Sequence, residues 1–211
     1  MAKAISHDWV DGVDPEEVRK MIERTFAFLV SEFSFRPPED QSINTMVIAL
    51  SYSRNHLAIE PLVDRKDRFV EICVVRLNGG ERPEGWKIDN KGDQFMTRLF
   101  EAAWDRGLKR SDPPSPPTSP QEALQALLDE EVSMLRTGCP DFLDDDAHYF
   151  GALNDRRRSD ARLKAERDFF AEAERLFRAK DYRALNEFMR TTEYTLSDLW
   201  QARLTYARNN A

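Results

Sequence analysis

The sequence predicts an α+β fold, a small antiparallel sheet of three or four strands flanked by helices, followed by an all-helical C-terminal region. Three observations carry this reading. Hydrophobic spacing changes from helical to strand-like near residue 45 and back again near residue 93. The strand-like segments are joined by short polar turns, which favours an antiparallel meander. Beyond "SDPPSPPTSP" (111–120), every apolar segment has helical spacing. The expected divisions are an α+β domain over 1–110, a proline-rich linker over 111–120 and a helical region over 121–211.

The first helix is written in "DPEEVRKMIERTFAFLVSEFSF". Asp14 is a cap, Pro15 suits the first helical position, and Glu17 fits a capping box. Val18, Met21, Ile22, Phe26, Leu29 and Phe33 follow helical spacing, and the prolines of "RPPED" end the run. Three strands follow at "TMVIALSYS", "HLAIEPLVD" and "RFVEICVVRL", each short, rich in Val and Ile and bounded by turn residues. Pro61 argues for an edge or a bulge in the second of them. Trp86 and Ile88 start a possible fourth strand after the loop "NGGERPEG". A helix is expected in "GDQFMTRLFEAAWDRG", capped by Asp93 and ended by Gly107, with Phe95, Leu99, Phe100, Ala103 and Trp104 on one apolar face.

The proline tract can form neither a helix interior nor a central strand, so it is read as a semi-rigid spacer. Ser119 and Pro120 then restart a helix as cap and first residue. A short helix is expected over "DDDAHYFGAL" and a separate long one through "SDARLKAERDFFAEAERLFRA". "KDY" forms a corner, "RALNEFMR" the next helix, and "TLSDLWQARLTYARN" the last, capped by Thr195.

Composition narrows function. The formal net charge is −7, and thirteen Phe, four Trp and five Tyr supply bulk for a core. An acidic protein is a poor general binder of nucleic acid, because phosphate contacts need a basic field. No apolar stretch approaches transmembrane length, and the N-terminus lacks an apolar signal region, so a cytosolic protein without membrane contact is expected. Two cysteines and three scattered histidines do not make a conventional zinc site. No phosphate-binding glycine loop occurs, and no serine-nucleophile elbow. A nuclease-type pairing fails because Glu71 is followed by Ile72 and Cys73 where a lysine is needed. No catalytic, cofactor or metal residue is therefore assigned.

Charge is concentrated. Residues 111–146 hold nine acids and one base, whereas 147–211 hold thirteen bases and ten acids. Within the acidic block, Asp144, Asp145 and Asp146 in "DDDAHYF" suit helix capping first and a partner-facing patch second. The basic run "DRRRSDARLK" suits salt bridges along a helix. Trp86 is either a core residue or an interface anchor.

Two resemblances follow from these segments. "FFAEAERLFRAKDYRALNEFM" (169–189) resembles one tetratricopeptide-type helical hairpin, with Ala173, Leu176 and Phe177 on the first helix and Asp181 and Tyr182 at the corner. Lys180 replaces the usual glycine, and no further copy is found, so a hairpin is implied without a peptide groove. "FAFLVSEFSF" followed by "HLAIEPLVD" and "RFVEICVVRL" is similar in pattern to small toxin-immunity proteins and to secretion-chaperone α+β folds. The resulting expectation is a non-enzymatic protein that binds another, basic protein, as an immunity or regulatory partner of a bacterial toxin or defence system. The alternatives are an enzyme with a noncanonical metal or nucleotide site, or a structural subunit of a larger assembly.

Overall fold

Asp14 Oδ1 accepts the Glu16 N–H at 2.9 Å and Pro15 opens helix α1 (Pro15–Ser31). Val18, Met21, Ile22, Phe26 and Leu29 are buried along one face, as their spacing requires. The helix closes when Ser34 takes a left-handed conformation, φ 59°, and the Phe35 N–H reaches back to the Leu29 carbonyl at 3.0 Å. The computed structural model describes residues 12–108 and 119–211.

The sheet has five antiparallel strands in sequence order: β1 (Glu39–Asp40), β2 (Val47–Ser53), β3 (Leu57–Asp64), β4 (Phe69–Arg76) and β5 (Met96–Arg98). Two of these are very short, and they account for the difference from the three or four strands expected. Pro61 lies neither at an edge nor in a bulge. It pairs with Ile72 in an unbroken β3–β4 ladder, and the β2–β3 register is the same before and after it. The interruption is on the β2 side, where Leu50 and Ser51 pair with β1 and have no β3 partner. A missing amide can be tolerated in a central strand when a two-residue gap in one ladder absorbs it.

Residues 95–98 correct a second expectation. Met96, Thr97 and Arg98 pair with Val75, Val74 and Cys73, so the chain is extended where a helix was expected. Unpaired backbone groups on the edge of β4 find partners this way. Helix α2 (Leu99–Asp105) begins six residues beyond Asp93, with Arg98 at the cap position and Glu101 accepting the Arg98 N–H. Asp93 instead closes a loop with Asp89 through paired backbone and side-chain bonds. Ile88 makes an isolated bridge to Gln94, and Trp86 lies in no strand.

Ser119 Oγ accepts the Glu122 N–H at the start of helix α3 (Pro120–Ser133). Ala123, Leu124 and Leu128 are buried, and α3 packs against both α1 and β4. Gln125 donates to Thr25 Oγ1 at 2.9 Å, and the Arg136 guanidinium lies 4.0 Å from the Phe28 ring centre while pairing with Glu32. The compact unit therefore extends to Ala152 and does not close at residue 110. The reason is apolar area: Leu124, Leu128, Leu135, Phe142 and Phe150 are fully buried there. Residues 111–118 of the expected linker lie outside the described residues.

The two faces of the sheet differ. Ile48, Leu50, Tyr52, Leu57, Ile59, Val63, Val70, Ile72 and Val74 alternate onto the face covered by α1 and α3, and all are buried. The opposite face holds a smaller cluster, Ala58, Cys73 and Val75 with Leu77, Phe95 and Met96.

Helix α4 (His148–Arg178) is one continuous helix where two were expected. The segment between contains no proline, and Asp155 and Arg158 pair one turn apart at 3.5 Å. The second compact unit runs from Leu153 to Ala211. In it, Ala173 and Leu176 of α4, Leu185 and Met189 of α5 (Tyr182–Arg190), and Trp200, Leu204 and Ala207 of α6 (Asp198–Asn209) form the core. Lys180 is left-handed, φ 58°, at the corner between α4 and α5, a conformation that glycine adopts at less cost. Asp181 caps α5 through the Ala184 N–H. The cap of α6 is Ser197, two residues beyond the expected Thr195.

Candidate protein-binding surface

The late start of α2 changes which residues face solvent. Leu99, Ala102 and Ala103 are buried, while Phe100 is partly exposed and Trp104 is 71% exposed. Phe100 and Trp104 lie four residues apart and so share a face. Trp86, assigned either to core or to interface, is 68% exposed. Its loop is held against α2 by an ion pair between Lys87 Nζ and Glu101 Oε1 at 3.3 Å. Isolated exposed apolar residues are ordinary, but two tryptophans on adjoining elements are less so, because each leaves a large apolar ring in water.

The three aspartates have three different roles. Asp145 is 6% exposed and left-handed, φ 60°. Its Oδ1 accepts the His56 and Leu57 N–H groups at 3.0 and 2.9 Å, fastening the turn between β2 and β3. Burial withdraws it from any surface patch. Asp146 accepts the His148 N–H at 2.8 Å at the start of α4, and its carboxyl is held below the usual range by that bond and by the imidazole of His148. Asp144 is exposed. The acidic turn is tied to the end of α2, since Arg106 makes a two-pronged pair with Asp141 at 2.7 Å and Tyr149 donates to Asp105 at 3.1 Å. Arg106 also stacks against the Phe142 and Tyr149 rings. Trp104, next to Asp105, is thus the aromatic that the structure connects to the acidic turn. Trp104 was missed in the sequence because the helix was phased from Asp93. The signal that could have corrected this is "MTR", whose Thr and short apolar alternation suit a strand edge.

A second constellation lies on the less covered sheet face. Glu60, Cys73 and Arg98 stand in one cross-strand row, with Glu71 diagonal to Arg98. Arg82 grips both oxygens of Glu60 at 2.6 and 2.7 Å, and Arg98 Nε lies 3.1 Å from Glu71. Burial raises the Glu71 carboxyl above its ordinary value, and Arg98 offsets part of that. Burial, with Glu71 and Glu60 adding to it, pushes the Cys73 thiol up to about 12. Cys73 is therefore a protonated thiol, without nucleophilic character near neutrality.

No family model, curated protein or solved structure matches this chain. Among the described residues, no three His, Cys, Asp or Glu side chains converge in a metal-binding group, and no helix is long and apolar enough to cross a membrane.

Proposed function

We propose that this chain is a non-enzymatic, cytosolic protein-binding module, with Trp104 at the centre of its contact surface and Asp144 and Asp146 on the rim. The observation that carries this reading is the exposed Trp104 ring on the helix that is tied to the acidic turn. Tryptophan anchors supply much of the energy in protein interfaces, and an acidic rim raises the encounter rate with a basic partner. The specific form we favour is an immunity or regulatory partner of a bacterial toxin or defence protein whose basic surface normally meets nucleic acid.

The Glu60, Glu71 and Glu101 cluster with Lys87 is the observation that favours an enzyme instead. Each of its carboxylates already has a cation, respectively Arg82, Arg98 and Lys87. That pattern neutralises a sheet face and leaves no excess charge for a metal or phosphate, so the binding reading is preferred.

The test is affinity capture from the native source with the wild-type chain and with Trp104→Ala, followed by association kinetics on the captured protein. The expected result is a basic protein held by the wild type and lost from the variant, with an on-rate that falls steeply as salt rises. Retention of the same proteins by both chains would refute the assignment of Trp104. A salt-independent on-rate would refute the steering by the acidic rim.

A further inference from the structure

Helix α4 is packed near its two ends and bare between them. Phe150 and Asn154 are buried in its first turns, and Ala173 and Leu176 join the core of the second unit near its end. From Asp155 to Asp168 no residue is buried. That stretch makes about four turns, so every direction around the helix axis is represented in it. It therefore carries no stripe packed against a neighbour. Leu163 is the one large apolar side chain there, and it is 59% exposed.

Tertiary packing supplies most helical stability in proteins, and a helix of this length without it is marginal in water. What remains is propensity and charge. The stretch has no Gly, Pro or β-branched residue. Asp160 follows Arg156 by four residues and Arg157 by three, and precedes Lys164 by four. Arg162–Glu166 and Lys164–Asp168 repeat the four-residue spacing, and Asp155 pairs with Arg158 at 3.5 Å. Like charges meet at these spacings only in Arg158–Arg162 and Lys164–Arg167. Attraction thus outnumbers repulsion, but the pairs lie at the surface, where salt screens them.

We propose that α4 between Asp155 and Asp168 is a salt-sensitive hinge, a stretch of helix that opens and recloses while the cores of both units stay folded. Opening there breaks intrahelical hydrogen bonds and surface ion pairs but uncovers no buried side chain. Opening at Ala173 or Leu176 would uncover the core of the second unit, and opening at Phe150 that of the first. A break inside a helix forfeits cooperativity, a factor of about 10⁻³, so the closed form dominates at low salt; the many positions open to a break return part of that factor. The hinge does not depend on the identity of any partner.

The experiment follows amide hydrogen exchange by NMR in the full chain, at about 20 mM and about 0.5 M NaCl, for the wild type, Asp160→Asn and Asp160→Glu. At low salt, amides 159–166 should exchange about ten to a few hundred times more slowly than an unstructured chain, and those of Leu185 and Leu204 at least about tenfold more slowly still. High salt should speed 159–166 about threefold to tenfold without speeding Leu185 or Leu204. Asp160→Asn removes three attractive pairs at nearly constant size and helix propensity. It should speed the same amides about threefold to tenfold at low salt and blunt the salt response. Asp160→Glu keeps the charge and should behave as the wild type. The Leu185 and Leu204 amides report in each variant whether the core is intact. Protection of 159–166 equal to that of Leu204 would overturn the proposal, as would exchange indifferent to both salt and Asp160→Asn. Exchange at the unstructured rate at low salt would overturn it too, because the hinge would then never close.

Discussion

Replacing Asp145 by alanine tests the junction between the acidic turn and the sheet. Asp145 is buried, and one of its oxygens accepts two backbone N–H groups at 3.0 and 2.9 Å. Hydrogen bonds to a charged group contribute about 1.5–3 kcal/mol each, and the two donors sharing one oxygen add less than their sum. The left-handed backbone at φ 60° costs alanine about 1 kcal/mol more than aspartate. Together these give a loss of about 3–5 kcal/mol, a large share of the stability of an ordinary domain. In urea the midpoint for the first unit should fall by about 2 M at a typical slope. Asp145→Asn keeps an oxygen acceptor and the left-handed preference, so its loss should be about 1–2 kcal/mol. Asp144→Ala, at an exposed position, should change the stability by no more than about 0.5 kcal/mol. Chemical denaturation of the full chain, followed by tryptophan fluorescence, provides the comparison. If Asp145→Ala matched Asp144→Ala, the assignment of Asp145 to the hairpin turn would be wrong.

Three further outcomes are expected. Burial raises Cys73 from the ordinary 9.0 up to about 12 and Cys139 to about 11, so neither thiol should react with iodoacetamide in the native protein at pH 8, whereas both should after unfolding, as read by mass. Because both folded pKa values lie above the unfolded ones, the thiols' contribution to stability is complete below about pH 9 and is lost as pH rises toward 12, which denaturation across that range would detect. Asp40 is held down to about 2, chiefly by bonds from Ser42 and then by Arg19, so its contribution is present above about pH 4 and fades as pH falls toward 2. Asp40→Asn should flatten that part of the acid profile, and an unchanged profile would discount the Asp40–Ser42–Arg19 contacts. Leu185 is fully buried in the second unit, and Leu185→Ala should cost about 2–5 kcal/mol there. The Trp200 signal should then report earlier unfolding while the Tyr52 region keeps its protection from hydrogen exchange.

By itself the sequence determined the α+β class, the starts of α1 and α3 and the three long strands. Those features are written locally. Asp14–Pro15 and Ser119–Pro120 are start signals that act within one turn, and β2, β3 and β4 carry enough Val and Ile to be read without their neighbours. Among the candidate residues, Trp86, which the sequence leaves open between core and interface, is exposed, and the capping role of Asp146 follows from its position before α4. Only the tertiary structure decided the rest. Whether Met96–Arg98 is strand or helix depends on the open edge of β4, more than twenty residues away in the chain, and that choice rotated Trp104 from core to solvent. Whether Asp145 faces solvent or the β2–β3 turn depends on backbone donors eighty-eight and eighty-nine residues away. Local propensity can announce where an element begins; pairing, burial and hydrogen-bond satisfaction between distant segments settle which way its side chains face.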